Sequence, residues 1–217
     1  MSSPWQSGLR DHALEASPEI DNLAKELLTP EKYEETNKVS SMLLTPWEKR
    51  KWAHAKLIVE VGYRPTRPLF YLMPLLQGLP RGTRDCIRYL GDYIDLLTKE
   101  LAFEYLGGNA RQCSLGKNAF RLSKSNLSPE IQDIAKILIR YNEFLYNPGK
   151  HDFSLPPGRN HRFTAREVVL TTYITAIIAK RIKAVSKAAC IAVEKDNLYM
   201  IGGRWGSKKR VKFVQDL

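Results

Sequence analysis

Apolar residues recur at intervals of three and four along most of this chain, which is the spacing of one face of an α-helix. From Ala165 to about Glu194 they cover much of the helix circumference, as in the central helix of a bundle. The stretch from Arg84 to Leu106 has instead a single apolar stripe, formed by Cys86, Leu90, Tyr93, Ile94, Leu97 and Leu101. The pattern predicts an all-α fold.

Ser or Thr residues followed by Pro or by an acid mark several predicted helix starts. The hydroxyl accepts hydrogen bonds from free N–H groups, Pro suits the first helical position, and the acid favours the positive end of the helix dipole. Gly107 and Gly108 predict a left-handed helix end. The predicted starts lie at Ser17, Thr29, Thr45, Ser128 and Thr164, and the last two Thr residues form capping boxes with Glu48 and Glu167.

These helices predict three parts of the chain. Residues 81–195 form an up-and-down bundle of four main helices, at about 84–106, 115–123, 129–146 and 165–194. Residues 1–80 form a helical extension that packs on the bundle, including a short apolar helix at 69–79. Residues 196–217 form a basic tail, in which Gly202 and Gly203 predict either a hairpin or a flexible arm.

The chain carries a large excess of positive charge. The chain of 217 residues has 34 Lys and Arg against 23 Asp and Glu, a formal charge of +11, which favours polyanions as partners. The predicted helix at 115–123 turns Lys117, Arg121 and Lys124 outward. RNA or DNA is therefore a predicted partner.

Cysteine spacing and hydropathy exclude several classes. The chain has three widely separated Cys and no Cys or His pattern of a metal site, so we predict no disulfide framework, no metal and no cofactor. Nucleotide-binding glycine motifs and hydrolase motifs are missing from the sequence. Apolar runs are shorter than the roughly 20 residues that span a membrane, so a soluble, cytoplasmic protein without a membrane partner is expected.

The connection between the last two predicted bundle helices concentrates the candidate chemistry. Metal-independent cleavage of RNA needs an acid, a base and a cation, roles that His151 and Arg140 could fill while Asn142 orients the phosphate. The alternative is structural: His151 caps a helix end, and Asn147-Pro148-Gly149 forms a turn. The predicted anion-binding residues are Lys150, Arg159, His161, Arg162 and Arg166 around this connection, and Lys208, Lys209 and Arg210 in the tail.

Three segments resemble the HEPN helical-bundle family over about residues 84–194: YLGDYIDLLTKELAFEYLG, LIRYNEFLYNPGKHDF and HRFTAREVVLTTYITAIIAKRI. The resemblance implies a four-helix bundle that dimerises and either cleaves RNA without a metal or binds RNA or nucleotides. The family motif places a His four to six positions after an Arg. Here His151 follows Arg140 by eleven positions, whereas His161 follows Arg159 by two.

Three functions remain open from sequence. The chain is a basic module that binds nucleic acid or nucleotide phosphate, or it is a metal-independent ribonuclease. Alternatively, it is a scaffold whose N-terminal helices bind a protein partner through Trp5, Trp47 or Trp52. Full burial of Trp47 and Trp52 would argue against the third function.

Overall fold

The structure is a computed structural model that describes residues 15–43, 46–62, 82–150 and 163–192. Every regular element in these ranges is helical, which confirms the all-α prediction. A 3₁₀ turn at Ala110–Gln112 and a π-helical turn at Asn142–Tyr146 interrupt the α-helices. The α-helices are α1 (Pro18–Leu27), α2 (Pro30–Met42), α3 (Pro46–Val61), α4 (Gly82–Leu106), α5 (Leu115–Lys124), α6 (Pro129–Tyr141), α7 (Asn147–Lys150) and α8 (Ala165–Val185).

Some predicted features lie outside the described residues: the start at Thr45, the helix at 69–79, and the tail with Gly202 and Gly203. The up-and-down order of four main helices and the HEPN likeness stay predictions. Across the described ranges, no helix combines the length and the low polarity that crossing a bilayer requires.

Most of the predicted helix starts that fall in the described residues are confirmed. Ser17 and Thr29 accept backbone hydrogen bonds at the starts of α1 and α2, and Thr164 forms a complete capping box with Glu167. Ser128 precedes α6 but makes no side-chain cap, so that part of the prediction is wrong. The left-handed end of α4 is confirmed, since Gly107 and Gly108 both have a φ of +61°.

The Asn147-Pro148-Gly149 segment is helical, so the predicted turn is wrong. The chain continues from α6 through the π-helical turn into α7, and the Asn147 N–H donates to the Asn142 carbonyl five residues back. Pro148 has no N–H for the carbonyl four residues earlier and would crowd it in a regular α-helix. A π turn re-spaces the backbone at this point, which lets the helix pass through the proline.

Helix α8 lies at the centre, as predicted, with most of its side chains buried around the whole circumference. Helices α1, α2 and α3 pack against it, as do α4 and α6. The N-terminal helices contribute Ile20, Leu23 and Leu57, all fully buried, to the same core as the bundle residues. In the described part of the chain the N-terminal helices therefore cover a face of α8.

The last predicted helix is divided. Helix α8 ends at Val185 because Ser186 is extended, and residues 187–192 form a separate helical segment. The carboxylate of Glu104, near the end of α4, accepts hydrogen bonds from the Ser186 hydroxyl at 2.6 Å and from the Ala188 N–H at 3.1 Å. This capping arrangement accounts for the break, which helix periodicity does not reveal.

Candidate nucleic-acid interface

Of the three predicted catalytic residues, the structure describes two. Arg140, at the end of α6, forms an ion pair with Glu26 of α1. Asn142 opens the π-helical turn and packs against α5, where a Cβ on Gly116 would lie 2.8 Å from its Nδ2 atom. His151 lies outside the described residues. Arg140 and Asn142 thus contact two different neighbouring helices.

Arg166 is part of a polar cluster between α8, α1 and α2. Its guanidinium donates to Asp21 Oδ1 at 2.9 Å and to Tyr33 Oη at 2.6 Å, and it lies 5.4 Å from the Tyr33 ring centroid. Burial acts to raise the pKa of Asp21, but hydrogen bonds from Lys25 and Tyr33 together with the Arg166 charge hold it below its usual value. The charge of Arg166 therefore binds α8 to the N-terminal helices.

The N-terminus of α8 holds a carboxylate of the chain itself. Glu167 is buried, and its two carboxylate oxygens accept the N–H groups of Ser17 and Thr164, each at 3.0 Å. The starts of α1 and α8 are therefore tied to one acid. Predicted anion-binding residues that lie outside the described part are Arg159, His161, Arg162, Lys208, Lys209 and Arg210, and Lys150 is described only as part of helix α7.

Helix α5 presents a basic face to solvent. Lys117, Phe120 and Lys124 are exposed on it, and Arg121 is half-buried. These four residues, which we call the α5 basic face, follow one another at intervals of three, one and three, so they share one side of the helix. Helix α5 contains no Asp or Glu. An exposed aromatic ring thus stands among three cations.

The amphipathic pattern of α5 determines which way this face points. Leu115, Ala119 and Leu122 are fully buried against the bundle. The hydroxyl of Ser114 caps the first turn, and the side-chain amide of Asn118 donates to the Ala110 carbonyl at 2.8 Å. The buried side of α5 is therefore held in place, and its opposite side faces outward.

The cations of the α5 basic face have no carboxylate partner among the described residues, which is also true of Lys32, Lys38 and Arg181. Within the described residues, none of the three lies within ion-pair distance of a carboxylate, whereas Lys99, Arg111 and Lys136 each pair with an acid. Arg121 contacts two neutral groups instead, Asn109 Oδ1 at 3.4 Å and Cys113 Sγ at 3.8 Å. Positive charge on this face is available to an external anion.

A second aromatic and cationic pair joins α4 to the 3₁₀ turn before α5. The Arg111 guanidinium stacks on the ring of Phe103 at 3.7 Å from its centroid. The Glu100 carboxylate fixes the orientation of this guanidinium by accepting hydrogen bonds from Arg111 Nε at 2.9 Å and from Arg111 Nη2 at 2.7 Å. The hydrogen bond from Arg121 to Asn109 connects α5 to the start of this turn.

Sequence reasoning placed the cations of α5 outward but missed Phe120 as part of a site. The signal was present, because the spacing of Leu115, Ala119 and Leu122 puts residue 120 on the far side of the helix. The described residues contain no cluster of three or more His, Cys, Asp or Glu suited to a metal ion. No protein-family model, curated protein or solved structure matches this chain.

Proposed function

We propose that this protein binds nucleic acid through the α5 basic face. The observation that carries the proposal is the exposed Phe120 ring, which lies among Lys117, Arg121 and Lys124, and no carboxylate of the described residues neutralises these cations. Phosphate groups attract such cations, and binding releases counterions from the nucleic acid. An apolar ring in the same patch suits bases, which have flat apolar faces.

The distribution of ion pairs supports this face over the two described cations that sequence favoured. Arg140 pairs with Glu26 and Arg166 with Asp21, so a phosphate would have to compete with an internal carboxylate at either position. Lys117 and Lys124 face no such competition in the described residues. Cleavage of RNA through His151 stays a prediction, since no described contact bears on it.

Binding to a protein partner through the N-terminal Trp residues gains less support. The Trp52 side chain is half-buried and its ring centroid lies 5.8 Å from that of Tyr173 on α8. Because Trp52 is not fully buried, binding of a protein partner through the Trp residues stays a prediction. Trp5 and the side chain of Trp47 lie outside the described residues.

A salt titration with matched lysine variants tests the proposal. The affinity of fluorescein-labelled 20-nucleotide RNA and DNA probes is measured by anisotropy for the parent chain and for Lys117→Gln/Lys124→Gln. We expect the plot of log K against log salt concentration to lose about 0.7 to 0.9 of slope for each phosphate contact removed, which is roughly 1.5 for the double variant.

Lys136→Gln is the matched control, because Lys136 is exposed on α6 but already pairs with Asp133 at 3.0 Å. It removes one positive charge from a neighbouring helix, whereas the double variant removes two, and it should change the slope by less than half as much. Failure of every probe to bind at low salt would refute the proposed function. An equal loss in Lys136→Gln would refute the assignment to the α5 basic face.

A further inference from the structure

We infer that the ligand of the α5 basic face is an unpaired strand of nucleic acid, with one base stacked on Phe120. This inference rests on the proposed function and specifies its ligand. The Phe120 side chain is 56% exposed although its neighbours Ala119 and Leu122 are fully buried. A flat apolar partner that covers this ring gains binding free energy, because both flat apolar surfaces are removed from water.

The position of Lys124 relates the ring to a phosphate. Its ammonium lies over one face of the Phe120 ring, 5.7 Å from the ring centroid, so a stacked base takes the opposite face. A base stacked on the ring would bring its own backbone phosphate close to this ammonium. Lys117 precedes Phe120 on the helix, whereas Lys124 follows it. With a helical rise of 1.5 Å per residue, Lys117 and Lys124 are about 10 Å apart along the axis. This span suits a few phosphates of one strand.

The ring cannot use a base that remains in a duplex. Paired bases have both faces covered by their neighbours, and opening a step for an apolar wedge costs a few kcal/mol. Reading base edges in the major groove needs outward amide or charged donors. The amide of α5, Asn118, is buried and donates to a backbone carbonyl. The charged donors Lys117, Arg121 and Lys124 can contact either form of nucleic acid, but only an unpaired base can also stack on Phe120.

The Arg111–Phe103 stack extends the same chemistry along the surface. Because Glu100 neutralises Arg111, this guanidinium contributes a flat plane more than a net charge. Guanidinium planes stack on unpaired bases as aromatic rings do. The Arg121 to Asn109 hydrogen bond joins the two regions, so a strand that leaves Phe120 in this direction meets a second plane for stacking.

Comparing single strands with their duplexes tests the inference. Anisotropy is measured at one salt concentration for a 15-nucleotide single strand and its duplex, each as RNA and as DNA. We expect both single strands to bind at least about ten times more tightly than the duplexes.

Two substitutions of Phe120 separate stacking from apolar area. Phe120→Leu keeps an apolar side chain without a ring, and it should weaken single-strand binding about five- to one-hundred-fold with an unchanged salt slope. Phe120→Tyr keeps the ring and should bind nearly as the parent does. Val59→Ala, which alters an apolar residue on α3 that is 80% exposed, is the control and should change nothing.

The outcomes distinguish this inference from the proposed function. Equal binding of duplex and single strand, with no effect of Phe120→Leu but a loss in Lys117→Gln/Lys124→Gln, overturns the unpaired strand and leaves nucleic-acid binding in place. Absence of binding to all four probes overturns both. Preferential binding of either single strand, lost in Phe120→Leu and retained in Phe120→Tyr, supports the inference.

Discussion

Gly91 shows how one residue controls a helix contact. A Cβ at this position would lie 2.0 Å from Cδ2 of the Tyr146 ring, far inside van der Waals distance. The ring of Tyr146 therefore lies directly on the α4 backbone, and its hydroxyl donates to Asp92 Oδ1 at 2.8 Å. The absent side chain at Gly91 allows the π-helical turn to approach α4.

We expect Gly91→Ala to lower the free energy of unfolding by about 1–3 kcal/mol or more, because the buried ring cannot move aside without disturbing the core. Urea denaturation followed by circular dichroism measures the change. In a Tyr146→Ala background the clash is absent, and the same substitution should be neutral or stabilising by up to about 1 kcal/mol, since Ala favours a helix over Gly. Equal costs in the two backgrounds would contradict this contact.

At the scale of elements, Glu104 holds the end of α4 against the start of the helical segment 187–192. The hydrogen bond from the Ser186 hydroxyl holds the pKa of Glu104 below its usual value, aided by the backbone N–H groups of residues 187 and 188. A carboxyl whose pKa is lowered by folding stabilises the fold above its unfolded pKa. The stabilisation is lost as pH falls through the lowered value.

We expect Glu104→Gln to be less stable than the parent at pH 7 by about 1 kcal/mol or less, since Glu104 is exposed and screened by solvent. The difference should shrink as pH falls from about 5 to below the lowered pKa of Glu104, where the parent carboxyl is also neutral. Urea denaturation of both chains across this range measures it. A difference that does not depend on pH would show that the charge of Glu104 has no part in the cap.

At the scale of the whole molecule, the N-terminal helices and the bundle share one core. Helix α8 is buried on the side that α1, α2 and α3 cover as well as on the side facing α4 and α6. Polar contacts reinforce the same junction, including the Glu167 carboxylate at Ser17 and the Lys180 ion pair with Glu60 at 2.6 Å. Removing the N-terminal helices would expose an apolar side of α8.

We therefore expect a fragment of residues 81–195 to lose cooperative unfolding and to bind the dye ANS, as proteins with exposed apolar surface do. Residues 1–195, which keep α1 to α3 and lack the basic tail, are the control and should unfold cooperatively. Denaturation curves of the two fragments and the full chain provide the comparison. A cooperative transition of the 81–195 fragment at the midpoint of the full chain would contradict a shared core.

Local features of this fold could be predicted from sequence, and distant pairings could not. The caps at Ser17, Thr29 and Thr164 involve only residues three positions away, so their signals are readable. Arg140 and Arg166 looked available for anions, yet their partners Glu26 and Asp21 lie 114 and 145 positions away. No local pattern identifies such a pairing.

The reason that Phe120 was not predicted as a site residue is different. Its outward direction followed from the periodicity of α5, but the value of an exposed ring depends on what surrounds it. Only the folded chain shows that Lys117 and Lys124 keep clear of carboxylates in the described residues, and that Arg121 turns to Asn109. The candidate site therefore lies on α5 and not in the predicted connection between α6 and α8.

The π-helical turn makes the number of residues between Tyr141 and Lys150 matter more than most of their identities. Each residue of an α-helix advances the chain by about 100° around the axis. Deleting one residue from Asn142–Tyr146 would return this five-residue spacing to the four of an α-helix, in which Pro148 would crowd the carbonyl four residues earlier. Exposed positions of this segment, such as Glu143, tolerate substitution. The number of residues in the segment is constrained, because the helices on both sides of it are packed in place.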